Sequence, residues 1–429
     1  MKLLHTYKEF LFEKTQNLFE GELILEGGAA GHMMHPFDDK SLTFDDFRKF
    51  ITAGLQGEMT FDEEPTEKTD GQNVFATVKD GKVMFARNKG QMQNPIDLAG
   101  ITQMFADHPS ELVRDTFTFA AQDLASTLTK LSANDQIKYF NDGKNFMNME
   151  LIYSKNPNVI NYDRDVIQFH GIKETDGEGN IIGDMGARSA KDIAKLLDAV
   201  NAKTGKVFNI IPPQVLKLRK DVDFDDKLPY FMKKIDALQA QYKLAGHDEV
   251  SRYHEMWWRD EIEKSFGDLS QDIKEGLLLR WAYDDKKTLN MRQVAKQITP
   301  EQMEFLRKYD KVDVKKKYKE NIRPFEDLFL EFGSIVLKNA SNFVAASPDA
   351  EMQRLHNEIR TEAAKIKKGG SVDQIIKVEA ELARLDRIGG IESIIPTEGL
   401  VFKYNGKIYK LTGTFAAINQ LLGIIKYGR

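Results

Sequence analysis

Two hairpin signals that enclose a long helical stretch are the features that most constrain this fold. Asp80-Gly81 and Asn405-Gly406 each stand between two runs of alternating residues. Both dipeptides suit the two-residue turn of a β-hairpin, which needs positive φ at its two central residues. The runs predicted as paired strands are 72–79 with 82–87, and 399–404 with 407–412. Antiparallel sheet is therefore expected on both sides of the helical stretch.

The stretch at about 226–388 is predicted to be all helical. Its helix starts are clear, since Thr299 with Gln302 and Ser371 with Gln374 both have capping-box spacing. Further strands are predicted at 146–153, 166–172 and 207–211. We therefore expect an α+β fold in three segments. A sheet domain at 1–225 would be interrupted by a helical insertion at 226–388 and completed by 389–429.

The composition limits the classes of function. The 429 residues include 61 basic and 66 acidic ones, for a net charge of −5, so any nucleic-acid site must be a local basic patch. The absence of cysteine excludes disulfide scaffolds, thiolate metal sites and a cysteine nucleophile. Since no apolar run approaches the roughly 18 residues of a membrane span, we expect no membrane contact and a cytoplasmic protein.

The segment Glu67-Lys68-Thr69-Asp70-Gly71 is the main candidate for chemistry. A lysine attacks phosphorus only as the free amine, so its pKa must be lowered by burial or by a nearby cation. Read alone, the segment is more often a polar lead-in to a hairpin. The first hairpin pairs Lys79 with Lys82, and this register brings Arg87 near Gly71, at the same end of the sheet as Lys68.

The second hairpin predicts a second set of polar residues. With Asn405-Gly406 as the turn, Lys403, Lys410 and Thr412 share one face, which suits a triphosphate or, alternatively, a solvated edge. Strict alternation puts Glu398 on the opposite face unless Gly399 marks a bulge.

Taken in chain order, the segments around Lys68, Arg87, Glu150 and Glu398 resemble the motifs of the covalent nucleotidyltransferases. This family comprises ATP-dependent RNA and DNA ligases and mRNA capping enzymes. The family's lysine-x-Asp-Gly motif is matched by Lys68, Asp70 and Gly71. Its next motifs are matched by Arg87, by Glu150 on a strand, and by Glu398 through Lys403. Of the usual Lys-x-Lys motif only Lys410 is present. The adenine-stacking aromatic of the family would be Phe169.

The resemblance implies a ligase-type adenylation domain in which Lys68 attacks the α-phosphate of ATP. AMP would then pass from a lysyl-AMP to a polynucleotide 5′-phosphate, and a 3′-hydroxyl would seal the strand. Mg²⁺ or Mn²⁺ would be held by Glu150 and Glu398. The implied nucleotide contacts are Glu67, Asp70, Gly71, Arg87, Glu150, Phe169, Lys403 and Lys410.

RNA is the expected substrate, because only 17 residues follow Thr412 and the β-barrel of DNA ligases and capping enzymes would not fit there. An ATP-dependent DNA ligase, a GTP-dependent capping-type guanylyltransferase and a non-catalytic nucleotide-binding protein remain alternatives. The resemblance, including the segment from Gly31 to His35, suggests a bacteriophage-type enzyme acting in the host cytoplasm.

Two further features are open to more than one interpretation. His32 and His35 have a helical spacing that could bind a metal, although a polar turn is the more frequent explanation. Lys315, Lys316 and Lys317 lie in a basic stretch that is either a solvated helix face or a clamp on a polynucleotide backbone.

Overall fold

The computed structural model describes residues 33–283, 289–344, 348–387, 390 and 395–427. The chain forms two compact units. Residues 34–59 and 219–339 form the first, here called the helical unit. The second, called the sheet unit, contains 60–218 and the residues from 340 onwards. Helices and mainly antiparallel strands occur together, so the α+β class is confirmed.

The strands of the sheet unit form a large sheet, a small sheet and a short ribbon. In the large sheet the order is β3-β2-β4-β5-β6, with β7 parallel to β5. The small sheet has the order β1-β10-β11, and the ribbon pairs β8 with β9. The strands are β1 (Thr66–Lys68), β2 (Gln72–Lys79), β3 (Lys82–Ala86), β4 (Asn145–Ile152), β5 (Val166–Thr175), β6 (Ile181–Asp184), β7 (Asn209–Ile211), β8 (Lys217–Leu218), β9 (Ala340–Ser341), β10 (Gly399–Tyr404) and β11 (Lys407–Leu411).

Both predicted hairpins are confirmed in their register. Lys79 pairs with Lys82 across the first turn, and Asp80 and Gly81 both have positive φ. Across the second turn Lys403 pairs with Ile408, as the position of Asn405-Gly406 requires.

Helices of the sheet unit cover one face of the large sheet. Their core includes Phe85, Phe117, Leu124, Met149 and Phe169, all at most 2% exposed. The helices of this unit are α2 (Lys89–Gln93), α3 (Leu98–Ala106), α4 (Glu111–Leu128), α5 (Ala133–Phe140), α6 (Gly186–Thr204), α13 (Pro348–Gly369), α14 (Val372–Arg387) and α15 (Phe415–Tyr427).

The helical unit packs its helices around aromatic cores. One core groups Trp258, Phe266, Trp281 and Tyr309. The predicted capping box at Thr299 is present, since Gln302 N–H donates to its hydroxyl and the Gln302 side chain accepts from Thr299 N–H. The helices are α1 (Phe44–Gln56), α7 (Phe224–Tyr242), α8 (Val250–Phe266), α9 (Gln271–Ala282), α10 (Met291–Val294), α11 (Pro300–Lys308) and α12 (Val314–Lys338).

The helical segments divide between the units differently from the predicted boundaries at 225/226 and 388/389. The chain leaves the sheet unit after Leu218 and returns to it at Ala340, and these two residues pair in the ribbon. Helices α13 and α14 lie in the sheet unit because α14 packs on α15. Residues 34–59 lie instead in the helical unit, where Phe47 packs on Phe329.

Among the described residues, no helix is both long and apolar enough to cross a bilayer.

Candidate active site

The short strand β1 brings Lys68 beside the second hairpin. Lys68 pairs with Gly399 at the end of the small sheet, and Glu398 directly precedes that glycine. The Lys68 ammonium forms an ion pair with the Glu398 carboxylate. Both side chains keep some solvent access, with 23% of Lys68 and 16% of Glu398 exposed. Two predicted site residues that are 330 positions apart are thereby in contact.

Two glycines permit the close approach of strands at this point. A Cβ on Gly71 would lie 2.6 Å from the carbonyl oxygen of Leu151, and one on Gly399 would lie 2.4 Å from that of Leu411. Real Cβ atoms do not come this close to a backbone oxygen, so a side chain at either position would push the strands apart.

Asp70 is held by the loop after β4 and not by a cation alone. Its carboxylate accepts hydrogen bonds from the N–H groups of Val159 at 2.7 Å and Ile160 at 2.9 Å. Its own N–H donates to the Tyr162 hydroxyl at 3.0 Å. Asn158 donates to the carbonyl of Gly71 at 2.7 Å. The loop therefore fixes both the carboxylate and the turn that follows Lys68.

A row of polar side chains crosses the large sheet next to this loop. Asn73, Glu150 and Gln168 pair in register across β2, β4 and β5, so they share a face. The Thr69 hydroxyl donates to Gln168 Oε1 at 2.6 Å and joins the loop after β1 to the row. Two buried atoms of the row, Gln168 Nε2 and Asn73 Oδ1, have no hydrogen-bond partner among the described residues. Buried polar atoms without partners are rare in folded proteins, and here they fit a ligand.

A bulge in β5 adds His170 to the same site. Met149 pairs with Phe169 but Asn148 pairs with Gly171, so His170 is an extra residue in this strand. Its Nε2 lies 3.9 Å from a carboxylate oxygen of Glu150. Burial, with the charge of Lys68, lowers the pKa of His170 to about 3, and the imidazole is neutral at physiological pH. Sequence reasoning missed His170, Thr69 and Gln168; the glycine at 171 was the one available signal of a bulge.

The carboxylates around Lys68 control its charge. Burial by itself lowers the pKa of Lys68, but the neighbouring carboxylates, Glu398 first, outweigh burial and raise it. Burial and the other acids raise the pKa of Glu150 to about 8. Burial and Glu398 raise the pKa of Asp70 to about 6. Lys68 is therefore held as an ammonium ion by the surrounding carboxylates.

Arg87 lies where the first hairpin was predicted to place it, after β3. Its guanidinium stacks 4.4 Å from the ring centre of Phe117, and burial lowers its pKa while the charge of Glu150 opposes that change. Its buried Nε has no hydrogen-bond partner among the described residues. A fixed guanidinium with a free donor suits a phosphate or ribose oxygen.

Two predicted nucleotide contacts point away from the polar row. Phe169 is fully buried in the apolar core, on the face of the large sheet opposite Glu150, so its ring is not available to stack on a base. Glu67 alternates with Lys68 on β1 and is fully buried. Its carboxylate accepts the N–H of Val344 at 2.6 Å. The predicted roles of both residues are corrected on this ground, because strand alternation turns their side chains away.

The two lysines of the second hairpin differ in their surroundings. By register, Lys403 and Lys410 share the face of the small sheet that carries Lys68. Lys403 forms an ion pair with Glu63 at 3.2 Å, whereas Lys410 is buried and only 4% exposed. The two lysines therefore share one face of the small sheet but differ in their exposure to solvent.

The remaining predicted residues lie elsewhere. Lys317 in the helical unit pairs with Glu261 and Glu320, while Lys315 is exposed. His35 precedes a short 3₁₀ helix, stacks on Phe37 and donates its N–H to Asp38. His32 lies outside the described residues.

Comparison with known proteins does not extend these observations. No family model, curated protein or solved structure matches the chain.

Proposed function

We propose that this protein is an ATP-dependent RNA ligase that acts through a lysyl-AMP at Lys68. The observation that carries the proposal is the meeting of four residues from three distant parts of the sequence. Lys68 contacts Glu398, and the charges of Glu150 and Asp70 act on the same ammonium. Polar atoms of Gln168 and Arg87 that have no partner in the described part of the chain add donors for a bound nucleotide.

The proposed reaction assigns one group to each step. The neutral Nζ of Lys68 forms a bond to the α-phosphorus of ATP as the bond from that phosphorus to the bridging oxygen breaks, and pyrophosphate leaves. A 5′-phosphate oxygen next attacks the same phosphorus and breaks the phosphorus–nitrogen bond. The 3′-hydroxyl of the second strand then attacks the 5′-phosphate and releases AMP. Arg87 and Lys410 would hold phosphate oxygens throughout.

The carboxylates of Glu150 and Glu398 are suited to bind a divalent cation that the phosphates of the nucleotide also coordinate. Among the described residues no group of three His, Asp or Glu is arranged to bind a metal unaided. Mg²⁺ is commonly bound by one or two carboxylates together with substrate phosphates and water, and Glu150 and Glu398 would be those carboxylates. When bound, the ion would neutralise phosphate charge. Neutralising the carboxylates would also lower the pKa of Lys68.

The proposal is tested by incubation with α-labelled ATP or GTP and Mg²⁺ or Mn²⁺, followed by denaturing electrophoresis. We expect label from ATP, none after Lys68→Ala or Lys68→Arg, and normal label after Lys82→Ala, an exposed lysine of the first hairpin. Label on the Lys68 variants would refute the mechanism. Label from GTP alone would favour a capping-type enzyme, and no label from either nucleotide would favour a non-catalytic binding protein.

A further inference from the structure

An exposed basic stripe runs along the longest helical segment of the helical unit. Helices α11 and α12 are joined by a π-helical turn at Tyr309–Asp313. Four exposed cations with neighbouring positions on this surface form the basic stripe: Arg307, Lys308, Lys311 and Lys315. None of the four has an ion-pair partner within the described part of the chain.

The sequence around the stripe is strongly basic, and one of its two acids is engaged elsewhere. Residues 305–319 contain seven basic and two acidic residues, in a chain whose net charge is −5. Of the two acids, Asp310 binds Arg280 at 2.7 Å and also accepts the indole N–H of Trp281 at 2.8 Å. Lys317, in contrast, turns inward to Glu261 and Glu320. Seven basic residues against Asp313 and the engaged Asp310 leave a net positive charge along the stripe.

The π turn produces this arrangement. It buries Tyr309, whose hydroxyl donates to Glu261 at 2.7 Å, and leaves Lys311 and Val312 exposed. Turns of this type are rare in proteins, and those that occur often lie at functional sites. A single such turn in the middle of the stripe is thus a second feature that indicates a ligand.

An aromatic ring lies at one end of the stripe. Phe305 is 48% exposed, although its ring is fixed by packing on Phe266 at 5.2 Å and on Tyr309 at 6.0 Å. Cations that follow a backbone, with an aromatic face that stacks on a base, are the features by which proteins bind single-stranded nucleic acid.

The same helix is poorly suited to a membrane surface. An interfacial helix needs a free apolar face opposite its charges. Here Met303, Leu306 and Tyr309 occupy that face and are buried in the core of the helical unit. The exposed large apolar side chains beside the cations, Phe305, Val312 and Tyr318, are few and do not form such a face.

We propose that the basic stripe and Phe305 bind a single-stranded polynucleotide, with the cations on its phosphates and the ring on one base. This inference rests on the proposed function for its choice of polynucleotide. It keeps Lys315 from the predicted set of Lys315, Lys316 and Lys317, and it adds Arg307, Lys308 and Lys311. Lys317 is excluded because its ammonium is already paired with Glu261 and Glu320.

The test uses the full-length protein and a 5′-phosphorylated, fluorescent oligouridylate, with affinity measured at several salt concentrations. In Lys308→Gln/Lys311→Gln/Lys315→Gln we expect binding about 100-fold weaker at about 0.1 M salt and a salt slope smaller by about 2. In Phe305→Ala we expect binding at least about fivefold weaker with an unchanged slope, because stacking is not ionic. The matched control is Lys233→Gln/Lys264→Gln/Lys296→Gln, three exposed lysines of the same unit.

The outcomes separate this inference from the proposed function. Two results would overturn the proposal that the basic stripe binds a polynucleotide. One is an equal loss of oligonucleotide affinity in the stripe and control variants, and the other is tighter binding to phosphatidylserine vesicles than to the oligonucleotide. Self-labelling by ATP, measured on the same variants, should remain at the wild-type level. Loss of oligonucleotide binding in the stripe variants, with normal self-labelling, supports both proposals. Oligonucleotide binding by a wild-type protein that shows no self-labelling supports the binding role of the stripe and refutes the proposed ligase activity.

Discussion

Replacing Glu67 by glutamine should stabilise the sheet unit at alkaline pH and change little under acidic conditions. Glu67 is fully buried, one oxygen accepts the N–H of Val344, and the other has no partner among the described residues. Burial raises the pKa of this carboxyl from 4.5 to about 8. The folded chain therefore keeps a proton here that the unfolded chain releases. Glutamine preserves the shape and the acceptor and does not titrate.

The sign and size of the effect follow from linkage. Because the folded-state pKa is the higher one, the native state binds more protons, and the stability contributed by Glu67 falls as pH rises from 4.5 to about 8. Each pKa unit corresponds to about 1.4 kcal/mol. Between pH 5 and pH 8 the wild type should lose roughly 3 kcal/mol relative to Glu67→Gln.

The assay must report on the sheet unit alone. All three tryptophans, at 257, 258 and 281, lie in the helical unit, so their fluorescence serves as an internal control. Amide hydrogen exchange of β2 and β4 in urea, at a series of pH values, measures the sheet unit. The matched variant is Glu111→Gln, at an exposed carboxylate of the same unit. Parallel pH dependence in the wild type and Glu67→Gln would show that Glu67 does not hold a proton in the folded chain.

Three further predictions test the geometry. Gly71→Ala should cost about 1–3 kcal/mol by calorimetry, because its Cβ would meet a backbone oxygen at 2.6 Å, while Gly90→Ala, with no contact under 3.4 Å, should cost less. Asp221→Ala should destabilise the helical unit by about 3 kcal/mol, since Lys227 and Asn339 lose their buried partner; tryptophan fluorescence in urea measures it. Below pH 4 the difference should shrink, because those contacts lower the Asp221 pKa. Glu398→Gln should lower the pKa of Lys68 and speed its acetylation at pH 8, measured by peptide mass spectrometry; an unchanged rate would contradict the ion pair.

Hairpin register was the most predictable part of the fold. A two-residue turn leaves one possible pairing, so Asp80-Gly81 and Asn405-Gly406 determined which residues oppose each other along four strands. That Lys403 and Lys410 share one face of the second hairpin was predictable for the same reason.

What the sequence did not reveal depends on long-range contacts. Strand β1 has three residues and no periodicity to detect, yet its pairing with β10 joins Lys68 to Glu398. The bulge that inserts His170 into β5 is defined by the pairing with β4, and Gly171 is its one local signal. The boundaries of the two units could not be predicted either. Every helix carries an apolar face, and no local sequence signal indicates that α14 packs on α15.

The charge balance around Lys68 links the candidate site to its proposed chemistry. A lysine in a buried pocket would by itself lose its proton, but Glu398, Glu150 and Asp70 reverse that tendency. The amine is then nucleophilic only when these carboxylates are neutralised, by protons or by cations that arrive with a substrate. Glu150, with a pKa of about 8, changes its charge within the physiological range. Two of these three acids, Glu150 and Glu398, would also bind the divalent cation, so cation binding and the reactivity of Lys68 would be coupled. The reactivity of Lys68 in Glu398→Gln measures this coupling directly.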